Sequence, residues 1–182
     1  MTHPKVQKSQ TLYSGFFEVR QDVLQRADGL THPYTSLILS TDAATILGQD
    51  REGRWILNRE YRHPVGSQIL GCPGGRLEPG EDPIEGGRRE FFEETGYWSD
   101  EIELLGVAYP FAGICNQKIY FLLAKNAYKK GPPSLDPFEF IQTELLTDEE
   151  LRKTIAHPDS LIDGILCTAL WYKELKKLLY DS

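Results

Sequence analysis

The spacing of apolar residues along the chain predicts a mixture of strands and helices. Short segments in which apolar residues alternate with polar ones, or follow one another without a break, are typical of strands. Such segments lie at residues 16–24, 34–39, 43–47, 55–61, 102–109, 119–124 and 138–146. Apolar residues three and four positions apart predict a helix from Asp159 or Ser160 to Leu179, and capping residues predict another at 83–95. Mixed strands with one central and one terminal helix favour an α+β sandwich.

The two ends of the chain differ in this pattern. The polar residues 1–10 predict a loose terminus. The terminal helix carries an apolar stripe, which we expect to face the core or an interface. The stripe consists of Leu161, Ile165, Tyr172, Leu175 and Leu179.

Capping residues predict the ends of the helices. Asp82 before Pro83 is typical of an N-cap followed by proline at the first helical position, and Gly96 predicts the C-terminal stop. Thr147, with Glu150 three residues later, is typical of the capping box that starts a short helix. The central helix therefore spans three to four turns between two defined ends.

Three carboxylates share one face of this central helix. At about 100° per residue, Glu90, Glu93 and Glu94 fall within a narrow arc of its surface. Converging carboxylates suit hard cations such as Mg²⁺ or Mn²⁺, although an acidic face turned to solvent would carry the same residues. Gly86 and Gly87 each cost about 1 kcal/mol relative to Ala inside a helix. We expect them to allow close packing against a neighbouring backbone.

Composition excludes several classes of function. The chain has 182 residues, of which 40% are hydrophobic, and a net charge of −7. This charge argues against general nucleic-acid binding, which needs a basic surface against the phosphate backbone. No apolar run reaches the roughly 18 residues of a membrane span, and the N-terminus lacks the apolar core of an export signal. Cys72, Cys115 and Cys167 have no zinc-site spacing and fit reduced, mostly buried thiols of a cytoplasmic protein.

The segment from Gly75 to Tyr97 resembles the Nudix box, Gly-x5-Glu-x7-Arg-Glu-U-x-Glu-Glu-x-Gly-U, in which U is bulky and apolar. Every fixed position is filled. The matching residues are Gly75, Glu81, Arg89, Glu90, Phe91, Glu93, Glu94, Gly96 and Tyr97. The resemblance implies hydrolysis of a nucleoside diphosphate linked to another moiety, on a loop–helix–loop that binds a divalent metal ion.

The resemblance also implies a fold and a domain organisation. It covers roughly residues 43–180 and implies an α/β/α sandwich with a mixed sheet. We therefore expect a Nudix hydrolase domain at 43–182. Residues 1–42 are expected to form a small antiparallel β appendage, which resembles the dimerising segment of the ADP-ribose and nucleotide-sugar pyrophosphatase branch. A homodimer is expected on that basis.

Two residues outside the box resemble substrate contacts of that branch. Glu60-Tyr61-Arg62 is similar to a Gln/Glu-Tyr-Arg stretch that precedes the box there. Arg62 is accordingly expected to contact a substrate phosphate, a role that suits its planar charged fork, with an exposed strand arginine as the alternative. Phe17, or its neighbour Phe16, is expected to stack on the base, with packing in the core as the alternative.

The resemblance assigns roles to the acidic residues. Glu90 and Glu94 are expected to be the principal metal ligands, with Glu93 as a ligand or a holder of water, and the carbonyl of Gly74 as a further ligand. Mg²⁺ is the expected cofactor and Mn²⁺ a possible substitute.

The general base is expected on a loop after the box. Glu139 fits the place from which related enzymes supply it, and an exposed loop glutamate is the alternative reading. Arg89 is expected to hold the glutamates rather than to touch substrate. With Glu93 and Glu94, these two residues complete the expected catalytic group.

The sequence departs from strict ADP-ribose enzymes at three positions. Gly71 replaces an acidic residue before the box, Ala112 replaces a proline after it, and Gln117 lies where an acid is expected. The expected function is therefore Mg²⁺-dependent hydrolysis of nucleoside diphosphate sugars, such as ADP-ribose and GDP-mannose, to a nucleoside monophosphate and a sugar phosphate. A strict ADP-ribose pyrophosphatase and a non-catalytic Nudix-fold nucleotide-binding module remain as alternatives.

Overall fold

The computed structural model describes residues 3–180, without the side chain of Tyr180, and divides into two compact units. Unit 1 comprises Met1–Asp42 and Tyr109–Lys118, and unit 2 comprises Ala43–Ala108 and Ile119–Ser182. The first division follows residue 42, which is also the expected boundary between the N-terminal appendage and the hydrolase domain. The segment after the box that joins unit 1 lies within the span expected to be the hydrolase domain.

Unit 1 contains a three-stranded antiparallel sheet in the order β1-β2-β3, formed by β1 (Lys5–Ser14), β2 (Glu18–Gln25) and β3 (Thr31–Ile38). The prediction of a loose terminus is wrong from the first residue of β1, which pairs with β2 along its length. Because all the residues of β1 are exposed, its sequence does not show the alternation of apolar and polar residues that a half-buried strand would have. Phe16 and Phe17 lie in the bend between β1 and β2 rather than in a strand, and Phe16 is 66% exposed, which excludes a core role for it.

The segment at 109–118 is bound to unit 1 by backbone and side-chain hydrogen bonds. The N–H of Leu37 donates to the carbonyl of Ile114 at 2.7 Å. The side-chain amide of Asn116 accepts from the N–H of Leu39 at 2.8 Å and donates to its carbonyl at 3.0 Å. This segment is therefore structurally part of the N-terminal unit.

Unit 2 is built on an eight-stranded sheet whose main path runs β11-β5-β4-β10-β8. Its strands are β4 (Ala43–Asp50), β5 (Trp55–Arg62), β6 (Ser67–Gly71), β7 (Gly74–Arg76), β8 (Tyr97–Trp98), β9 (Glu101–Ala108), β10 (Ile119–Lys129) and β11 (Ile141–Leu146). β4 and β10 are parallel, and the remaining pairs are antiparallel. The predicted mixed sheet is confirmed.

Helices cover both faces of this sheet. They are α1 (Pro83–Thr95), α2 (Asp148–Ala156) and α3 (Gly164–Tyr180). Successive residues of β10 point to opposite faces: Phe121 and Leu123 pack with Leu166 of α3, and Leu122 packs with Phe91 of α1. Because both faces are buried, β10 is an unbroken apolar run rather than an alternating one. The predicted α/β/α sandwich is therefore confirmed.

α1 begins and ends where its capping residues predict. The carboxylate of Asp82 accepts from the N–H of Ile84 at 2.9 Å. Gly96 has a left-handed φ of 68°, and its N–H donates to the carbonyl of Phe92 at 2.7 Å. The capping box predicted at the start of α2 is also formed.

The two glycines inside α1 pack against side chains, not against the neighbouring backbone that we expected. A β-carbon at Gly86 would lie 2.4 Å from Cδ2 of Leu77, and one at Gly87 would lie 2.4 Å from Cδ1 of Leu122. Leu122 is fully buried. The absence of a side chain at Gly87 therefore sets how closely α1 approaches the sheet.

The last helix starts later than predicted because the chain before it follows β6. The N–H of Leu70 donates to the carbonyl of Leu161 at 3.0 Å, and the N–H of Asp163 donates to the carbonyl of Leu70 at 2.9 Å. The carboxylate of Asp163 then accepts from the N–H of Ile165 at 2.9 Å, which starts α3 at Gly164.

Three smaller predictions are also corrected. The apolar stripe is wrong at both ends, since Leu161 precedes α3 and Leu179 is 68% exposed. The strand predicted from Phe138 begins only at Ile141. Cys167 is exposed, so the prediction that the cysteines are mostly buried is wrong. Among the helices of the described residues, none has the length and apolar character needed to cross a bilayer.

Candidate active site

Acidic side chains converge on one pocket of about 260 Å³ in unit 2. One wall is the exposed face of α1, and the other is the loop that precedes β11. The lining residues are Arg89, Glu90, Glu93, Glu94, Ser134, Asp136 and Glu139. The structure thus brings the three box glutamates together with Glu139, which lies 45 residues beyond Glu94 in the sequence. The pocket carries five carboxyl groups and one guanidinium.

Arg89 is bound by three carboxylates from α1 and the loop before it. It donates to Glu81 through Nε at 3.0 Å and Nη2 at 3.1 Å, to Glu90 at 2.8 Å and to Glu93 at 3.0 Å. The hydrogen bonds to Glu81 raise the pKa of Arg89, and they lower the pKa of Glu81. A guanidinium with this many bonds is fixed in position, and it fixes the carboxylates around it.

Glu94 is the most buried of the acidic side chains that line the pocket. Its Oε2 accepts from Nδ2 of Asn58 at 2.8 Å and from the N–H of Gly74 at 2.9 Å, and only 6% of the residue is exposed. Burial raises the pKa of Glu94 to about 8, and the neighbouring carboxylates Glu90, Glu60 and Glu139 contribute to the increase. The site therefore holds Glu94 in a poorly solvated position that favours the protonated form.

Asn58 is a site residue that sequence analysis missed. It is 2% exposed on β5, and its Oδ1 is buried without a hydrogen-bond partner among the described residues. The signal was available, because Asn58 is a polar residue that directly follows the apolar residues Trp55, Ile56 and Leu57. A buried amide in such a run needs a polar partner, and that partner is Glu94.

The loop that carries Glu139 is tied to α1 and folded on itself. The N–H of Ser134 donates to the carbonyl of Glu93 at 2.7 Å. Oε2 of Glu139 accepts from the N–H of Asp136 at 2.9 Å, and the N–H of Glu139 donates to the Asp136 carbonyl at 3.0 Å. The flanking Phe138 is 90% exposed, whereas Asp136 and Glu139 of this turn both line the pocket.

Gly74 contributes through its backbone. It has a φ of +147°, and a β-carbon there would lie 2.3 Å from the carbonyl oxygen of Ala44. Only glycine fits this position, and it aims the Gly74 N–H at Glu94.

The two expected substrate contacts lie outside this pocket. Arg62 pairs with Glu60 at 2.8 Å and borders a small neighbouring cleft that also includes Asn58, Gly71 and Asp163. Burial raises the pKa of Glu60. Phe17 belongs to unit 1, where its ring contacts those of Tyr13 and Phe16.

The donor chemistry of the pocket fits a hard divalent cation. Within the described part of the chain, no three acidic, His or Cys side chains are already arranged around a metal position. Arg89 is bonded to Glu90 and Glu93, and neutral donors are bonded to Glu94. All the available ligands are nonetheless oxygens, which suit Mg²⁺ and Mn²⁺. Burial also raises the pKa of Glu90, so a cation would relieve uncompensated charge on two of the glutamates.

Comparisons with known proteins agree with this arrangement. The NUDIX domain matches residues 39–162. The chain is 28% identical to a methanol dehydrogenase activator of Bacillus methanolicus over 96% of its own length and 95% of the relative. It is 28% identical to an ADP-ribose pyrophosphatase of Bacillus subtilis (strain 168), over 75% of this chain and 74% of the relative. A crystal structure of an ADP compounds hydrolase matches 100% of this chain and 98% of its own with a TM-score of 0.86 at 21% identity, which shows a shared fold.

Proposed function

The chain belongs to the NUDIX domain family, and we propose that it hydrolyses the pyrophosphate bond of ADP-ribose and related nucleoside diphosphate sugars. The products are a nucleoside monophosphate and a sugar phosphate. The observation that carries the proposal is the convergence of Glu139 with Glu90, Glu93 and Glu94 in one pocket. The similarity to an ADP-ribose pyrophosphatase supports the class of substrate.

The metal ion belongs to this proposal. Glu90, Glu93, Glu94 and the carbonyl of Gly74 would hold Mg²⁺, or Mn²⁺ in its place. When bound, such an ion neutralises the diphosphate and lowers the pKa of a bound water. Hydrolysis should stop in excess EDTA and return when Mg²⁺ or Mn²⁺ is added. Full turnover in EDTA would contradict the assignment.

Each remaining side chain of the pocket has a distinct role in the proposal. Glu139 accepts a proton from the attacking water, because it faces the glutamates from the opposite wall. Arg89 is a positioning residue, since its donors are already bound to Glu81, Glu90 and Glu93.

Substrate recognition is proposed for two residues. Arg62 is 47% exposed in its side chain, so its guanidinium is accessible to a phosphate group. Phe17 would stack on the base. Arg62→Lys keeps the charge and removes the planar fork, so it should raise KM more than it lowers kcat. An unchanged KM would remove Arg62 from the site.

The breadth of substrate use is tested by one comparison of kcat/KM. ADP-ribose, GDP-mannose, dinucleoside polyphosphates and nucleoside triphosphates are assayed with identification of the products. We expect several nucleotide sugars to be cleaved and triphosphates to be poor substrates. Preference for triphosphates would overturn the proposal, and no turnover of any compound would favour the non-catalytic binding module.

One observation favours the strict ADP-ribose alternative. The space beside Gly71 is taken by Asp163, whose Cβ would lie 3.4 Å and Oδ2 3.8 Å from a β-carbon at Gly71. Asp163 thus offers a carboxylate near the position where the resemblance expects one. If it acts in recognition, Asp163→Asn should lower kcat/KM for ADP-ribose and leave that for GDP-mannose nearly unchanged.

We also propose a homodimer formed through unit 1. β1 is an edge strand of ten residues, all of them exposed, and Val6, Leu12 and Tyr13 are among the exposed apolar side chains. Unpaired edges of this length favour pairing with another strand. Light scattering at micromolar concentration should give twice the chain mass of 20.7 kDa. A particle of the monomer mass would contradict the proposal.

A further inference from the structure

A second cavity in unit 2, of about 550 Å³, has no residue in common with the carboxylate pocket. It lies between α3 and the strands β4, β5, β9 and β10. Three of its lining side chains are nearly buried and apolar: Trp55, Leu105 and Leu123. The volume falls within the roughly 300–1,000 Å³ that is usual for small-molecule sites.

The charged lining of this cavity is almost entirely basic. Four lysines and one glutamate line it, and no arginine does: Lys125, Lys173, Lys176, Lys177 and Glu103. These are four of the ten lysines in a chain of net charge −7. The lysines come from two separate elements, β10 and α3, so the cluster is created by the fold and is not a run in the sequence.

Two glutamates neutralise part of this charge: Glu103 in the lining and Glu174 beside it. The two carboxylate oxygens of Glu103 are shared between Lys125 at 3.2 Å and Lys176 at 3.8 Å. Lys176 is further held by the carbonyl of Leu104 at 2.6 Å, and Lys173 pairs with Glu174 at 2.9 Å. The cavity therefore keeps an excess of ammonium groups over carboxylates, and these contacts hold three of the four lysines in position.

Ordinary helix chemistry explains only part of the cluster. A lysine in the last turn of α3, such as Lys177, interacts favourably with the C-terminal end of the helix dipole. The stem of Lys173 covers an apolar surface, because its Nζ lies 5.1 Å from the ring centroid of Trp55. Neither argument applies to Lys125, which extends from a strand. Repulsion between clustered ammonium groups destabilises the folded protein. A bound anion that offsets this repulsion explains the cluster better than helix chemistry does.

We propose that this cavity binds a small anion that carries two or more phosphate groups. Lysine ammonium groups act as point charges that suit phosphate oxygens, whereas recognition of a planar carboxylate favours the fork of arginine, which is missing here. The excess of ammonium groups calls for more than one negative charge. The size of the cavity admits a linear inorganic polyphosphate and also a nucleoside triphosphate. This site is independent of the proposed hydrolysis.

Binding of inorganic tripolyphosphate to the full chain tests the proposal. Isothermal titration calorimetry in excess EDTA keeps metal-dependent binding at the carboxylate pocket out of the signal. We expect one saturable site per chain. The double variant Lys125→Gln/Lys177→Gln removes one ammonium from each element and should weaken binding at least tenfold. Its rate of nucleotide-sugar hydrolysis should equal that of the wild type, which shows that it is folded and separates this test from the proposed function.

A matched control has the same change in net charge. Lys5→Gln/Lys8→Gln removes two exposed lysines of β1 and should bind tripolyphosphate as the wild type does. Glu103→Gln should bind severalfold more tightly, because it frees Lys125 and Lys176. Absence of saturable binding, or equal losses in both double variants, would overturn the proposal.

A third titration distinguishes the source of the phosphates. ATP in EDTA should lose affinity in Lys125→Gln/Lys177→Gln to the same degree as tripolyphosphate. Equal affinities of ATP and tripolyphosphate for the wild type would identify the phosphate chain as the whole ligand. Tighter binding of ATP than of tripolyphosphate would show that the nucleoside also contacts the cavity. Both results support the site.

Discussion

Replacement of Glu94 by glutamine should remove catalysis and at the same time stabilise the metal-free protein at alkaline pH. Glutamine keeps a carbonyl oxygen that accepts the hydrogen bonds from Asn58 and Gly74, which reach Glu94 at 2.8 Å and 2.9 Å. The substitution therefore preserves shape and hydrogen bonding and removes the charge. Loss of the proposed metal ligand should lower kcat by orders of magnitude.

The magnitude of the stabilisation follows from the pKa of Glu94. Burial raises it from an ordinary value of 4.5 to about 8. Since a tenfold change in proton affinity corresponds to about 1.4 kcal/mol, ionising Glu94 in the folded protein costs at most about 5 kcal/mol. The folded protein binds this proton more tightly than the unfolded chain does. The free energy of unfolding contributed by Glu94 is therefore fully present below pH 4.5 and is lost as the pH rises to about 8.

Movement of the carboxylate toward the open pocket recovers part of this cost, so we expect roughly 2–3 kcal/mol in favour of Glu94→Gln at pH 9. For a domain of this size that is an increase in Tm of roughly 5–10 °C. Calorimetric melting in EDTA at pH 5 and pH 9 measures it, and the two proteins should melt together at pH 5. Glu85→Gln, an exposed change on the same helix, is the control and should not alter the pH dependence. A variant less stable than the wild type at pH 9 would refute the reasoning.

Two further substitutions test the proposed role of Glu139 and the packing of α1. Glu139→Gln should lower kcat at least tenfold with little change in KM, because a base acts in the chemical step; the exposed Glu149→Gln is its control, and a kcat within twofold of wild type would remove the role. Gly87→Ala should lower the free energy of unfolding in urea by about 1–3 kcal/mol despite the better helix propensity of alanine, because its β-carbon would lie 2.4 Å from a buried Leu122 atom. Gly164→Ala, where a β-carbon meets nothing within 4 Å, should be neutral or stabilising, and equal effects at both glycines would contradict the packing argument.

Local chemistry made the central helix predictable. Its capping residues Asp82 and Gly96 act on their immediate neighbours, so the sequence contains all the information that sets its ends. The same is true of the face that carries Glu90, Glu93 and Glu94, because helical geometry alone brings them together.

Elements that depend on distant partners were predicted less well. β1 is held by pairing with β2 and has no buried face, so its residues follow no apolar period. The start of α3 is set by hydrogen bonds between residues 161–163 and Leu70 of β6, contacts that no local pattern reports. In the site, the apolar residues before Asn58 indicate that it is buried, but its partner could not be predicted, since Glu94 lies on another element.

The approach of α1 to the sheet links the stability of the fold to the chemistry of the site. Gly87 lets the helix pack directly on Leu122 of β10. About two turns further along α1, Glu94 reaches the amide of Asn58 on β5 and the N–H of Gly74 on β7. A helix displaced outward by a methyl group would stretch both hydrogen bonds beyond their useful length. Gly87→Ala should therefore lower kcat even under conditions in which the protein remains fully folded, whereas a defect of packing alone would leave kcat of the folded fraction unchanged.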